Sequence, residues 1–184
     1  MHGGSEVVTW AGTPGASRRA SFAEGDVRQI KPAADPHAGV PPGSRAVCGA
    51  GLSIRPVTDR GGVREWVRVW GCGAPADVTD RWYGVYSALP RRPGGPLRMF
   101  VGYLGGRPVA TTYVFLAAGV AAVHYVVTRP GYRRRGIGAA MTLAAVDEAA
   151  AAGYRVAVLT ASPSGIGTYR RLGFRECCLV STYE

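Results

Sequence analysis

The chain has 184 residues, room for one domain with a sizeable core and little more. Hydrophobic residues make up 47% and charged residues 18%, an ordinary balance for a soluble globular protein, and the longest apolar run, Val114 to Val127, is interrupted by Gly119 and His124 and too short to span a bilayer. The net charge is +10, which suits a polyanionic partner such as nucleic acid or a nucleotide-like cofactor.

The first fifty residues hold five of the 22 basic and four of the 12 acidic side chains, so the remainder carries 17 against 8. Lys31 is the only lysine, and the charge is nearly all arginine. Residues 1–50 are rich in Gly, Ala, Pro and Ser and show no sustained period of 2 or 3.6, which predicts a flexible tail ahead of a folded domain over 51–184. The amino terminus lacks the charge-flanked apolar stretch of a signal peptide, and a reducing, cytoplasmic location is the default expectation. Cys48, Cys72, Cys177 and Cys178 form no C-x-x-C pair, and with three scattered histidines no metal site is readable.

Leu52, Ile54 and Pro56 alternate with polar residues as a short strand does, with Pro56 and Asp59 marking its end. Val63, Trp66, Val67 and Trp70 fall at helical spacing, and the two tryptophans are expected to pack in the core. A second helix is predicted from Ala76 to Leu89, followed by a loop, RRPGGP, at 91–96. Three strands follow, Leu97–Leu104, Val109–Leu116 and Val120–Thr128, joined by hairpin turns at Gly105-Gly106 and Ala118-Gly119. The helix from Gly136 to Ala152 is apolar nearly all round, which predicts burial, and Gly153 ends it. Tyr154–Thr160 reads as a strand parallel to the one before the helix. A short helix, Pro163–Leu172, and a last strand, Phe174–Tyr183, complete the order.

The stretch VVTRPGYRRRGIGA, residues 126–139, runs from a strand through a glycine-bearing loop into a helix. Backbone N–H groups in a helix's first turn lack intrahelical partners and carry the positive end of its dipole, an arrangement suited to phosphate. Gly136 and Gly138 have no β-carbon to hold an anion off those amides, and Arg133, Arg134 and Arg135 add charge that forks onto phosphate oxygens. Glycines at a helix start are also ordinary turn chemistry, so the spacing alone leaves both readings open.

Arg133, two residues, Gly136, one residue, Gly138, Ala139 resembles the acetyl-CoA signature of the GNAT family of N-acetyltransferases. A second segment, Tyr169-Arg-Arg-Leu-Gly-Phe174, is similar to the end of that family's fourth helix, with Ser162 where relatives often have asparagine. The resemblance implies an α+β fold, an α/β/α sandwich with a mixed, mostly antiparallel sheet whose parallel strand pair splays at the cofactor site. It implies acetyl transfer from acetyl-CoA to an amine of a small molecule or protein in a ternary complex. Val126, Val127 and Thr128 would meet the pantetheine arm; Arg133, Arg134, Arg135, Gly136, Ile137, Gly138 and Ala139 would surround the pyrophosphate; and Ser162 would join them. Tyr169 matches the general acid that protonates the leaving thiolate.

The base departs from the family pattern. Ala121 and Ala122 stand where many relatives carry glutamate, and His124 is the nearby group that titrates near neutrality. A histidine on an apolar strand also serves as a satisfied core residue. The single last strand is a second departure, leaving a shorter sheet or an edge completed by a second copy in a homodimer. The alternative to an enzyme is a catalytically weak acyl-CoA-binding sensor or interaction module of the same fold. No nucleic-acid motif supports the basic surface, and neither a nucleic acid nor a membrane is an expected partner.

Overall fold

A computed structural model describes residues 5–12, 51–90 and 94–181. In chain order the elements are β1 (Ser5–Gly12), β2 (Leu52–Pro56), α1 (Arg60–Trp70), α2 (Ala76–Ala88), β3 (Leu97–Leu104), β4 (Arg107–Ala117), β5 (Val120–Thr128), α3 (Ile137–Ala151), β6 (Val156–Ala161), α4 (Ile166–Arg171) and β7 (Arg175–Ser181). A single turn of 3₁₀ helix, Pro130–Tyr132, lies between β5 and α3. The elements read from residue 52 onward are all present, with ends that agree or differ by at most three residues. Thus α1 starts at Arg60 because Asp59 caps it, its carboxylate accepting the Gly62 N–H at 2.7 Å.

The sheet has seven strands in the order β2-β3-β4-β5-β6-β1-β7. Among the described residues every ladder is antiparallel except β5 with β6. Alternation along the strands divides the core. Leu52, Phe100, Ala121 and Val123 face one side with Ile137, Ala140 and Met141 of α3 and Tyr169 of α4. Met99 and Val101 face the other with Val63, Trp66 and Val67 of α1 and Tyr86 of α2. The result is the α/β/α sandwich.

Small residues bring α3 close to its face. Ala140, Ala145 and Ala149 are buried, and a β-carbon added at Gly102 of β3 would lie 2.8 Å from the Met141 sulfur. The Arg98–Glu148 ion pair, part-buried, joins the start of β3 to the end of α3.

The tail expected over 1–50 is corrected at Ser5–Gly12; the rest of that stretch lies outside the described residues. β1 pairs antiparallel with β6 from Val7↔Ala161 to Gly12↔Val156, and with β7 from Ser5↔Ser181 to Trp10↔Arg175. The neighbour that the last strand lacked in the sequence reading is therefore supplied by the chain's own early residues, rather than by a shortened sheet. The physical reason lies in composition: Val7, Val8, Thr9 and Trp10 are strand-forming residues, but a run of four inside Gly- and Pro-rich sequence is too short to display a period. The final residues of the predicted strand, including Tyr183, lie outside the described residues.

Candidate active site

The parallel ladder between β5 and β6 runs only from Ala121↔Ala157 to Val123↔Leu159. Beyond it no ladder joins the two strands, and the β5 edge from Tyr125 to Thr128 borders that gap, the cleft between β5 and β6. A bulge makes this departure. On the β4 side the register shifts between Thr111↔Val127 and Tyr113↔His124, so Tyr125 and Val126 both stand opposite Thr112. Tyr125 takes a left-handed φ of 48°, uncommon for a residue with an aromatic side chain.

Two buried threonines hold the bulge. The Thr111 hydroxyl donates to the Tyr125 carbonyl and the Thr112 hydroxyl to the His124 carbonyl, each at 3.2 Å. Both side chains are 0% exposed. The indole N–H of Trp66 in turn donates to the Thr112 carbonyl at 3.0 Å, so α1 grips the same point. The bulge also breaks strand alternation: His124 and Tyr125, adjacent in sequence, both touch the ring of Tyr113, at 5.1 and 5.4 Å between centroids. Tyr125 further meets Trp66 and Trp70 of α1 edge-on, at 6.0 and 5.4 Å. Trp66 is in the core as the sequence predicts, whereas Trp70 is half-buried.

At the other end of the cleft, Gly136 precedes α3 with φ 75° and ψ −1°, and no side chain caps the helix. The first helical hydrogen bond is the Ala140 N–H to the Gly136 carbonyl at 3.0 Å, so the amides of Ile137, Gly138 and Ala139 lie ahead of the ladder. A β-carbon built on Gly136 meets nothing within 4 Å. That open space in front of uncapped amides suits a phosphate group. The arginines differ in posture: Arg133 Nε donates to the Thr128 carbonyl at 3.1 Å, Arg135 lies 5.7 Å over the Tyr132 ring, and Arg134 adopts a left-handed φ of 63°. All three are exposed.

β6 and α4 form the far wall. The Ser162 hydroxyl lies 3.1 Å from that of Ser164, and its carbonyl accepts the Gly165 N–H at 2.8 Å in the turn before α4. Tyr169 is 9% exposed, edge-on to Phe174 at 6.0 Å, and its hydroxyl has no hydrogen-bond partner among the described residues. Burial raises its pKa above the ordinary phenol value, so the group stays protonated at neutral pH. Burial lowers the pKa of His124, leaving it neutral and able to accept a proton. His124, Val126, Val127 and Thr128 thus lie on β5, the 133–139 segment leads into α3, Ser162 follows β6 and Tyr169 is on α4, with the Tyr169 ring in the core cluster on the α3 side and His124 against Tyr113 of the other cluster.

The profile of the acetyltransferase (GNAT) family matches residues 64–174. The chain belongs to the GNAT acetyltransferase family.

Solved structures agree with this GNAT assignment at the level of fold. A GCN5-related N-acetyltransferase from Kribbella flavida superposes with TM-score 0.60 at 22% identity, over 97% of this chain and 59% of that one. One from Ralstonia eutropha gives 0.57 at 23%, over 73% and 99%. An aminoglycoside N-acetyltransferase in complex with CoA gives 0.60 at 18%, over 74% and 95%. This GNAT chain spans 59% and 60% of the length of the first two structures it resembles, the second a Staphylococcus epidermidis protein. No curated protein matches its sequence. No helix among the described residues is long and apolar enough to cross a membrane.

Sequence reading missed Tyr125, Thr111 and Thr112. A bulge has no composition signal in VHYVV, and adjacent threonines on a strand are common; only the paired register reveals that their hydroxyls meet carbonyls of the next strand.

Proposed function

We propose that this GNAT enzyme passes the acetyl group of acetyl-CoA directly to an amine of a small molecule or protein while both are bound. The observation that carries this reading is the cleft where β5 and β6 separate, with uncapped α3 amides at its mouth and the bulge at its apex. The α3 amides and Arg134 take the pyrophosphate, and the Val126–Thr128 edge aligns the pantetheine arm as an added strand would. The thioester carbonyl then reaches the bulge, where a backbone N–H polarises it.

His124 removes one proton from the incoming ammonium. The amine nitrogen bonds to the carbonyl carbon, the C–S bond breaks, and Tyr169 gives its proton to the departing thiolate. The amide nitrogen gives up its second proton to solvent, which also returns a proton to Tyr169 and takes one from His124. The balance is ammonium and acetyl-CoA to amide, CoA thiol and one proton. Holding both reactants in line accounts for up to roughly 7–11 kcal/mol of the barrier. The catalytic domain on this reading is residues 51–184 together with β1.

The test is incubation with acetyl-CoA and a panel of amines, peptides and aminoglycosides, following thiol release and acetylated product. Stoichiometric thiol and amide would support direct transfer. A covalently acetylated protein that passes its group on after CoA has left would defeat it.

A further inference from the structure

The bulge turns Tyr125 onto the α1–α2 side of the sheet, at the apex of the cleft, and 38% of the residue stays exposed. Beside it stand two half-buried tryptophans, Trp70 of α1 at 5.4 Å and, edge-on to Trp70 at 5.1 Å, Trp82 of α2. Trp82 stacks on Tyr86 at 5.7 Å, and the hydroxyls of Tyr86, Tyr113 and Tyr125 interact behind this wall. His124 borders it through Tyr113. The wall therefore presents the rings of Trp70, Trp82 and Tyr125 beside His124.

Among the described residues, none of the carboxylates named in contacts meets Trp70, Trp82 or Tyr125. Asp59 caps α1, Glu65 accepts from the Tyr103 hydroxyl, Glu148 pairs with Arg98 and Glu176 with Arg170. Asp80 shares a small surface cavity with Arg64 and Arg68, Asp147 is engaged in an interaction of its own, and Asp77 lies in the first turn of α2. Beyond residue 50 the chain has 17 basic against 8 acidic side chains, a field that repels a polycation. A single ammonium, by contrast, is drawn to the face of an aromatic ring without a counterion.

From these observations we infer that the acceptor is a monoamine carried on an aromatic or similarly apolar body, seated against Trp70, Trp82 and Tyr125 with its nitrogen toward His124. This rests on the acetyl-transfer reading above for the placement of the amine. Apolar area and ring stacking hold the body. Polyamines and aminoglycosides, which need several carboxylates, are excluded by the same wall.

The experiment compares phenethylamine and tryptamine with spermidine and kanamycin as acceptors, by thiol release. The aryl monoamines should have the higher kcat/KM by at least about tenfold, the scale of one ring contact. Trp82→Leu, and separately Trp70→Leu in case one variant fails to fold, should raise the KM for phenethylamine about tenfold while the Kd for CoA is unchanged. A higher kcat/KM for spermidine or kanamycin, or a phenethylamine KM unmoved in both folded variants, would overturn the inference. Quenching of tryptophan fluorescence in the CoA-saturated protein reads amine binding without turnover. Selective binding of aryl monoamines with no thiol release would uphold the inference and sink the transfer reading; spermidine binding as tightly as phenethylamine would overturn the inference whatever the turnover.

Discussion

The Thr111 hydroxyl donates to the Tyr125 carbonyl at 3.2 Å, across a β-bulge whose φ of 48° a tyrosine rarely adopts. The neighbouring Thr112 does the same for His124. A left-handed tyrosine is costly, and the buried hydroxyls offset that cost by satisfying carbonyls that the broken ladder leaves aside. Thr111→Val keeps the shape and removes the hydroxyl, leaving a buried carbonyl unpaired at about 1–3 kcal/mol. We expect a lower melting temperature together with a kcat loss of at least about tenfold at little change in CoA affinity, and recovery of both in Thr111→Ser. Equal kcat in the valine and serine variants would show that the hydroxyl does not position the bulge.

Gly136 is tested by Gly136→Val. The new side chain finds open space in the protein itself, but it must adopt φ 75° and it occupies the front of the α3 amides. CoA affinity should fall far more than in Arg134→Ala, because a blocked approach removes several amide contacts and one exposed arginine removes only a screened charge. Calorimetry at a temperature where both variants are folded decides the matter: equal affinities would remove the 133–139 segment from the phosphate site.

His124 gives a pH signature. Its pKa lies below the ordinary 6.5 because burial disfavours the imidazolium, so the base form persists to lower pH than for an exposed histidine. On this assignment kcat/KM is level at neutral pH and falls on the acid side below 6.5, and His124→Gln abolishes that limb. Stability follows the same sign. The unfolded chain binds the proton first, so the contribution is full above 6.5 and is lost as pH falls below it. An acid limb retained in His124→Gln would assign the base to another group or to solvent.

What the sequence displayed depended on how local each feature is. Apolar periodicity over Val63–Trp70 and alternation over the three central strands placed α1 and β3–β5, since each is set by residues a few positions apart. The 126–139 junction was legible for the same reason: strand, loop and helix start are contiguous. Tyr125 was not, because a bulge is a property of two strands, and its register is fixed by Thr111, Thr112 and Trp66 rather than by its own neighbours. β1 was not, because its partners Ala161 and Ser181 lie at the other end of the sequence.

β1 yields a prediction that reverses the tail reading. Val8 stands opposite Thr160 on one side and Cys178 on the other, in the interior of the sheet. Val8→Pro removes an N–H from the ladder and adds a ring, and a chain lacking residues 1–12 removes both ladders. A loss of about 3 kcal/mol lowers the melting temperature of a domain this size by roughly 6–12 °C, and both changes should exceed the lower figure. Unchanged melting in the truncated chain would restore the view that these residues are dispensable.

Tyr169 supplies the sharpest test of the chemistry. Its ring packs against Phe174 and within 3.0 Å of a β-carbon built on Gly165, so the phenol is held at one place on α4. Burial keeps its pKa above the ordinary 10.0, which leaves the proton in place at neutral pH, where His124 is neutral. Phenylalanine retains the ring and removes only that proton. Tyr169→Phe should therefore keep the melting temperature and CoA affinity while lowering kcat by about 10² to 10⁴, the usual range for one acid–base group. The defect should shrink for an acyl donor whose leaving thiol is more acidic, since such a thiolate departs without help. A variant that turns over as fast as the parent, or whose defect is the same for every leaving thiol, would assign the proton to water and leave Tyr169 as a packing residue.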